Sequence, residues 1–308
     1  MKNALLYDYM MRENKRPVKN NFSSLHTHTV FCDGKDDVET MCRTAFEKGL
    51  AAVGFSAHAP IGRTGLKSTW HLKDERLGEY VDEVNAARRR WDGKLAVFSG
   101  LELDYIKGLC CAEDADIRAL NMDYIIGSVH YLLPGNGAQP FTIDGPPEEF
   151  ERGIAEGFGG DGEAAMHAYW DAVAEMTAIG GFEILGHADK IRKNNEDMCW
   201  FDTESADWHC RCAEIAAAVI RSGCVVELNT GGLNRGQSAD TFPSLPMLRM
   251  LCENKVPVLI TADAHRVRDL DGCYDIARLT LLRAGYGEHV LFTGKIDGQP
   301  MWRNVKLK

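Results

Sequence analysis

The chain has 308 residues, 45% of them hydrophobic and 26% charged, with a net charge of −10 at pH 7, ordinary values for a globular protein of one large domain or two small ones. No apolar run approaches the roughly 20 residues that span a bilayer, and the acidic balance opposes a polyphosphate partner, so neither membrane nor nucleic acid is an expected partner. Residues 1–20 mix Lys, Arg, Glu and Tyr without an apolar signal core, and ten cysteines are scattered without the C-x-x-C spacing of zinc or redox sites, which points to reduced thiols and a cytoplasmic location.

Short apolar runs alternate with longer amphipathic stretches, the pattern of β/α units around a parallel sheet. Strands are expected at 22–25, 51–55, 95–101, 124–129, 182–185, 225–228 and 256–261, and helices at 38–48, 74–91, 115–120, 163–179, 205–222, 245–253 and 274–284. Residues 1–21 read as an N-terminal extension and 22–308 as one barrel domain. Two connections are long, 60–73 and the Gly-, Pro- and acid-rich 134–162; loops of that length are lids, specificity elements or mobile insertions.

The residues at the carboxyl end of each strand carry the chemistry. His26-Thr-His28 and then Asp33 come after the first, His58 after the second, Glu102 and Asp104 after the third; His130 ends the fourth, His187 and Asp189 come after the fifth, and Asp263-Ala-His265 ends the last. In a parallel β/α barrel these positions share one rim. Imidazole together with carboxylate suits Zn, Fe or Mn, and six of the ten histidines at strand ends make a metal site the preferred reading. Residues two apart on an extended segment point to one side, so His26 and His28 can share an ion. Asp263 and His265 can chelate one ion or divide between two. His71, His167, His209 and His289 fall in a loop, on helical faces or near the C-terminus, and are read as solvated or packing residues.

The segments Leu25-His26-Thr27-His28 with Asp33-Gly34, Phe55-Ser56-Ala57-His58, Gly100-Leu101-Glu102-Leu103-Asp104-Tyr105, Ile126-Gly127-Ser128-Val129-His130, Gly186-His187-Ala188-Asp189 and Thr261-Ala262-Asp263-Ala264-His265 resemble, in order, the motifs of the polymerase-and-histidinol-phosphatase (PHP) family, and among these the histidinol-phosphate phosphatases. The resemblance runs from about residue 22 to 284. It implies a distorted seven-stranded (β/α) TIM-like barrel with three divalent ions. His26, His28, Glu102 and Asp263 would hold the first, Glu102 would bridge to a second held by His130 and His187, and Asp33, His58 and His265 would hold the third.

Arg192 and Arg235 are candidate phosphate clamps, because guanidinium grips phosphate oxygens bidentately. The reaction implied is hydrolysis of a small phosphate ester, L-histidinol phosphate giving L-histidinol and phosphate. A water bridging two ions loses its proton near neutral pH and attacks phosphorus. The catalytic residues expected are His58, Asp263, Arg192 and Arg235, with His58 a candidate for protonating the leaving alkoxide. A nucleotide or sugar phosphate is the alternative substrate, and an inactive barrel serving as an interaction module is the alternative of another class; the sequence leaves the oligomeric state open.

Overall fold

The computed structural model describes residues 21–307, so the extension expected at 1–21 lies, but for Asn21, outside the described residues. Seven parallel strands form one sheet in the order β1 (Ser23–Ser24), β2 (Ala52–His58), β3 (Ala96–Asp104), β4 (Tyr124–Ser128), β7 (Ile184–Leu185), β8 (Val225–Asn229) and β9 (Val258–Thr261). A parallel bridge between Thr27 and Ala264, with His28 N–H to Ala264 O at 2.8 Å and Ala264 N–H to His26 O at 2.9 Å, joins the first strand segment to the last. The sheet therefore curls into a distorted, nearly closed barrel, as expected.

Each strand is followed by a helix whose ends the sequence marks. Asp37 caps Val38–Lys48 by accepting from Thr40 N–H at 2.7 Å, and Gly49 ends that helix in the left-handed region, where the missing Cβ removes the penalty. Ser205 likewise caps Ala206–Ser222 and Gly223 closes it. The predicted helix 74–91 divides into a short 3-10 turn, Asp74–Arg76, and the helix Leu77–Trp91.

The lower barrel is filled by Leu25, which follows β1, by Tyr124 and Ile126 of β4, and by Ile184, Val225 and Leu259 of β7, β8 and β9. Tyr124 fits because Gly54 and Gly100 face its ring; a Cβ at either would lie 2.5 Å from a Tyr124 atom. Val290 and Phe292 of a C-terminal hairpin, β10 (Glu288–Ile296) and β11 (Gln299–Lys306), pack into the same cluster and stopper the barrel opposite the carboxyl ends of the strands. This hairpin was not among the expected strands.

The connection 134–162, expected as a lid, specificity element or mobile insertion without elements of its own, contains a strand and a helix. Tyr131–Leu132 (β5) pairs with Phe141–Thr142 (β6), and Pro147–Phe158 is a helix. Its glycines misled because they are packing sites: Phe141 lies over Gly153, where a Cβ would come within 2.1 Å of the ring. Phe150 and Ile154 bury the same face.

Candidate metal centre

The barrel brings all nine expected positions to one rim. His58 is the last residue of β2 and pairs in register with Glu102 of β3. Strands β2 and β3 run farther than expected, so His58, Glu102 and Asp104 lie on the strands themselves, all buried. Asp263 takes a left-handed φ of 48°, sparsely populated away from glycine and typical of functional sites. Its carbonyl accepts from Arg235 Nη1 at 2.7 Å and its Oδ2 from Arg235 Nη2 at 3.1 Å.

Three groups offer ligand atoms that lie within 4.8 Å of one another: His28, Asp33, His58 and His265; His26, His28 and Glu102; and His58, Glu102 and His130. Glu102 is the centre of the assembly. Its Oε2 is 3.1 Å from His26 Nε2, 3.5 Å from His28 Nε2 and 3.0 Å from His58 Nδ1, and its Oε1 is 2.9 Å from His187 Nε2. Asp263 Oδ1 stands 3.4 Å from His28 Nε2, and Asp33 Oδ2 is 3.0 Å from His265 Nε2. His28 and His58 each belong to two groups, so the ligand sets overlap more than the family-based partition implies.

Cations fit these groups, as the unpaired atoms show. His26 Nε2, His28 Nε2, Asp33 Oδ1, His58 Nδ1 and Glu102 Oε2 are all buried with no hydrogen-bond partner. A buried polar atom left unpaired costs about 1–3 kcal/mol, and five converging on one place form a site for divalent ions rather than a packing defect. Imidazole nitrogens and carboxylate oxygens provide sites for up to three such ions, and Zn, Fe and Mn all accept them. Burial opposes charge on Glu102, yet His26, His58 and His130 hold it well below the carboxylate range. Burial, with the neighbouring His265 and His58, pushes His28 down to about 3, keeping it in the neutral, ligating form.

Three buried residues behind the rim escape the ligand set drawn from sequence. Glu227 is fully buried on β8, and its Oε2 accepts from His26 Nδ1–H at 2.8 Å and Thr261 Oγ1 at 2.8 Å. Its Oε1 accepts from the His187 backbone N–H at 2.7 Å and Asn229 Nδ2 at 3.1 Å. Asp104 Oδ1 holds His130 Nδ1 at 2.8 Å, and its Oδ2 holds His71 Nε2 at 2.7 Å. His71, expected to be a solvated or packing residue, is thus part of the polar wall behind the site. A carboxylate two residues on from Glu102 was the available signal for Asp104; nothing local marks Glu227 or His71.

The two arginines lie in different surroundings. Arg235 lines the cleft above the metal-ligating groups. Arg192 pairs through Nε with Asp189 Oδ2 at 2.8 Å, donates from Nη2 to Thr241 O at 2.6 Å, and lies over the Phe242 ring. It is not among the residues that line the cleft.

The cleft has a volume of about 910 Å³. Trp70 and Tyr131, stacked at 5.8 Å, form one wall, and Phe141 to Arg152 of the 134–162 segment contribute another. That segment is fastened by Asp144, whose Oδ1 lies 2.6 Å from Lys193 Nζ and 3.5 Å from the buried Lys190. Lys35, Lys67, Arg152 and Arg266 stand exposed around the mouth, without ion-pair partners among the described residues. A chain of net charge −10 therefore presents a basic mouth, suited to a small anion. No described helix is long and apolar enough to cross a membrane.

Residues 24–231 match the family model described as the PHP domain. Over 242 residues the chain is 28% identical to a "Probable histidinol-phosphatase" of Deinococcus radiodurans, covering 78% of this chain and 85% of that protein. Over 270 residues it is 25% identical to the "Histidinol-phosphatase" of Bacillus subtilis, covering 81% and 96%. Among solved structures, the histidinol phosphate phosphatase of Lactococcus lactis, complexed with Zn, L-histidinol and phosphate, superposes with a TM-score of 0.62 at 17% identity, covering 89% of this chain and 98% of that one. A likeness at that identity speaks for the fold alone. With the motif order, the barrel and the ligand groups in agreement, the chain belongs to the PHP family of metal-dependent hydrolases.

Proposed function

We propose that the protein is a phosphatase that hydrolyses L-histidinol phosphate to L-histidinol and inorganic phosphate, the reaction of histidine biosynthesis. The observation that carries this reading is the convergence of five unpaired buried ligand atoms beneath a cleft lined by Asp33, His58, Glu102 and Arg235. The names of the Deinococcus and Bacillus relatives support the choice of substrate.

Divalent ions held by His26, His28, Asp33, His58, Glu102, His130, His187, Asp263 and His265 would supply an acidified water and Lewis-acid stabilisation of phosphoryl charge. Arg235 is oriented through its two hydrogen bonds to Asp263 and by Nε donating to Gln237 Oε1 at 3.1 Å, which leaves an Nη2–H for a phosphate in the cleft. We assign Arg235 the role of phosphate clamp, and Arg192 that of bracing the segment after His187. Trp70 and the 134–162 wall shield the phosphoryl group from bulk water. His58 lines the cleft, with the Trp70 ring edge-on at 4.6 Å; with its ring engaged as a ligand, we assign it the orienting of a water that protonates the leaving alkoxide.

Phosphate release from L-histidinol phosphate, with nucleotide and sugar phosphates alongside, tests the proposal on metal-loaded protein with His28→Ala as control. Preference for histidinol phosphate, lost in the variant, is the expected result. Hydrolysis of another ester in its place would retain the phosphatase and move its substrate. Silence on every ester would leave an inactive interaction module.

A further inference from the structure

A run of hydrogen bonds leads from the wall of the cleft into the metal centre, and the chemistry of its members sets every direction in it. Asp104 is 1% exposed and belongs to none of the metal-ligating groups. Its carboxylate can only accept, so His71 must present Nε2–H to Oδ2 at 2.7 Å, and His130 must present Nδ1–H to Oδ1 at 2.8 Å. Neutral His71 then has a bare Nδ1, which accepts from the hydroxyl of Ser68 at 2.7 Å. With Nδ1–H committed to Asp104, the nitrogen His130 can offer to an ion is Nε2, which faces His187 Nε2 at 3.1 Å and Glu102 Oε1 at 3.6 Å, the direction a ligand lone pair must take.

The outer end of this run is the wall that a substrate meets. Ser68 Oγ accepts the backbone N–H groups of Trp70 at 3.2 Å and His71 at 3.3 Å, which closes the turn that presents Trp70. The Trp70 ring lies on His71 at 3.8 Å and stands edge-on to His130 at 5.6 Å. Ser68, His71 and Asp104 have the composition of a nucleophilic triad. The Ser68 oxygen, however, already accepts two backbone bonds from its own turn, so its role is to close that turn rather than to attack.

We propose that His71 is a positioning residue that couples the 67–72 wall of the cleft to the metal centre: through Asp104 it fixes the His130 ring toward the ions, and through Ser68 it holds Trp70 over them. Ordering the wall then favours ion binding at His130, and by reciprocity ion binding orders the wall. Positioning of this kind typically changes metal affinity 10–100-fold. The inference rests on ion binding and not on the phosphatase proposal, because hydrogen exchange and ion affinity are both read without a substrate.

The test is hydrogen exchange of segment 66–73 in the full chain, in chelator and with saturating Zn²⁺, together with Zn²⁺ affinity by chelator competition. In the native protein Zn²⁺ is expected to slow exchange of the Trp70 and His71 amides at least about tenfold. His71→Phe should abolish the slowing and weaken at least one ion by about tenfold or more, whereas His71→Gln, whose amide reaches the place of Nε2, should retain both. Should His71→Phe fail to fold, Ser68→Ala decides: loss of the Zn²⁺-dependent slowing supports the coupling, and native slowing overturns it. A folded His71→Phe protein with native Zn²⁺ affinity and native slowing overturns it directly, as does a His71→Gln protein that loses both.

Discussion

Glu227 should control metal affinity without touching a metal, by setting the tautomer of His26. The Oε1 side of its carboxylate meets only donors, His187 N–H and Asn229 Nδ2. In Glu227→Gln the amide oxygen must therefore occupy that side, and the NH₂ group must face His26 Nδ1 and the Thr261 hydroxyl. The hydroxyl can turn to accept. His26 can accept only by moving its proton to Nε2, the atom that faces Glu102 at 3.1 Å and Asp263 at 3.8 Å and must be bare to bind an ion. Keeping the ligating tautomer would leave two buried donors in opposition, at about 1–3 kcal/mol, which corresponds to a loss of roughly 5- to 150-fold in affinity for the ion that His26 holds. Stability of the chelator-treated protein should fall as well. Burial opposes charge on His26, but without an ion Glu102, Glu227 and Asp263 hold it in its protonated form, and the substitution removes one buried carboxylate partner. Competition with a chromophoric chelator measures the first quantity and urea unfolding the second. Thr261→Val removes a bond to the same oxygen without dictating the tautomer and should shift affinity less than about threefold. Native affinity in Glu227→Gln, or a loss matched by Thr261→Val, refutes the reasoning.

Arg235→Ala should lower kcat/KM for a phosphate ester by roughly 10- to 150-fold, the worth of a charge-assisted bond of about 1.5–3 kcal/mol, with Arg235→Lys recovering part; steady-state kinetics check this. Arg192→Ala should instead leave KM unchanged and cost about 3 kcal/mol in urea unfolding, because it leaves the fully buried Asp189 carboxylate without its cation and with the Ser244 N–H still donating to it. Replacing Lys35, Lys67, Arg152 and Arg266 together by Gln should flatten the fall of kcat/KM with rising salt, since their field is screened over a Debye length of about 10 Å. Burial pushes His289 down to about 4, partly offset by its bond to the Asn21 carbonyl, while the unfolded chain binds that proton near pH 6.5. Its contribution is complete above pH 6.5 and lost on acidification toward pH 4, in all about 3 kcal/mol; His289→Gln, unfolded by urea across that range in chelator, should lack this part of the pH dependence.

Much of this protein is legible without coordinates, because a parallel barrel repeats one rule. Each apolar run becomes a strand, and the residue that ends it reaches the same rim, so His58, His130 and His187, far apart in sequence, could be assigned to one site from their positions alone. The i, i+2 spacing of His26 with His28 has the same basis, since extended backbone turns alternate side chains to one side; Asp263 and His265 converge although Asp263 leaves the extended region for a left-handed φ of 48°. Helix ends were equally local: a side chain such as Asp37 or Ser205 satisfies an orphan N–H, and Gly49 or Gly223 takes the left-handed turn.

Tertiary structure decided whatever depends on partners distant along the chain. Glu227 looks like any strand glutamate until closure of the barrel sets it behind His26, 201 residues away. His71 is a loop histidine until Asp104 receives it, and Arg192 and Arg235 are equivalent loop arginines until one is taken by Asp189 and the other by Asp263. The 134–162 segment has the composition of a loop because its glycines are read as breakers. Only the packing of Phe141 onto Gly153 shows that the absent side chains are what let its helix lie down. Local chemistry sets which groups can bind an ion, and the long-range hydrogen bonds made on folding set which way their lone pairs point.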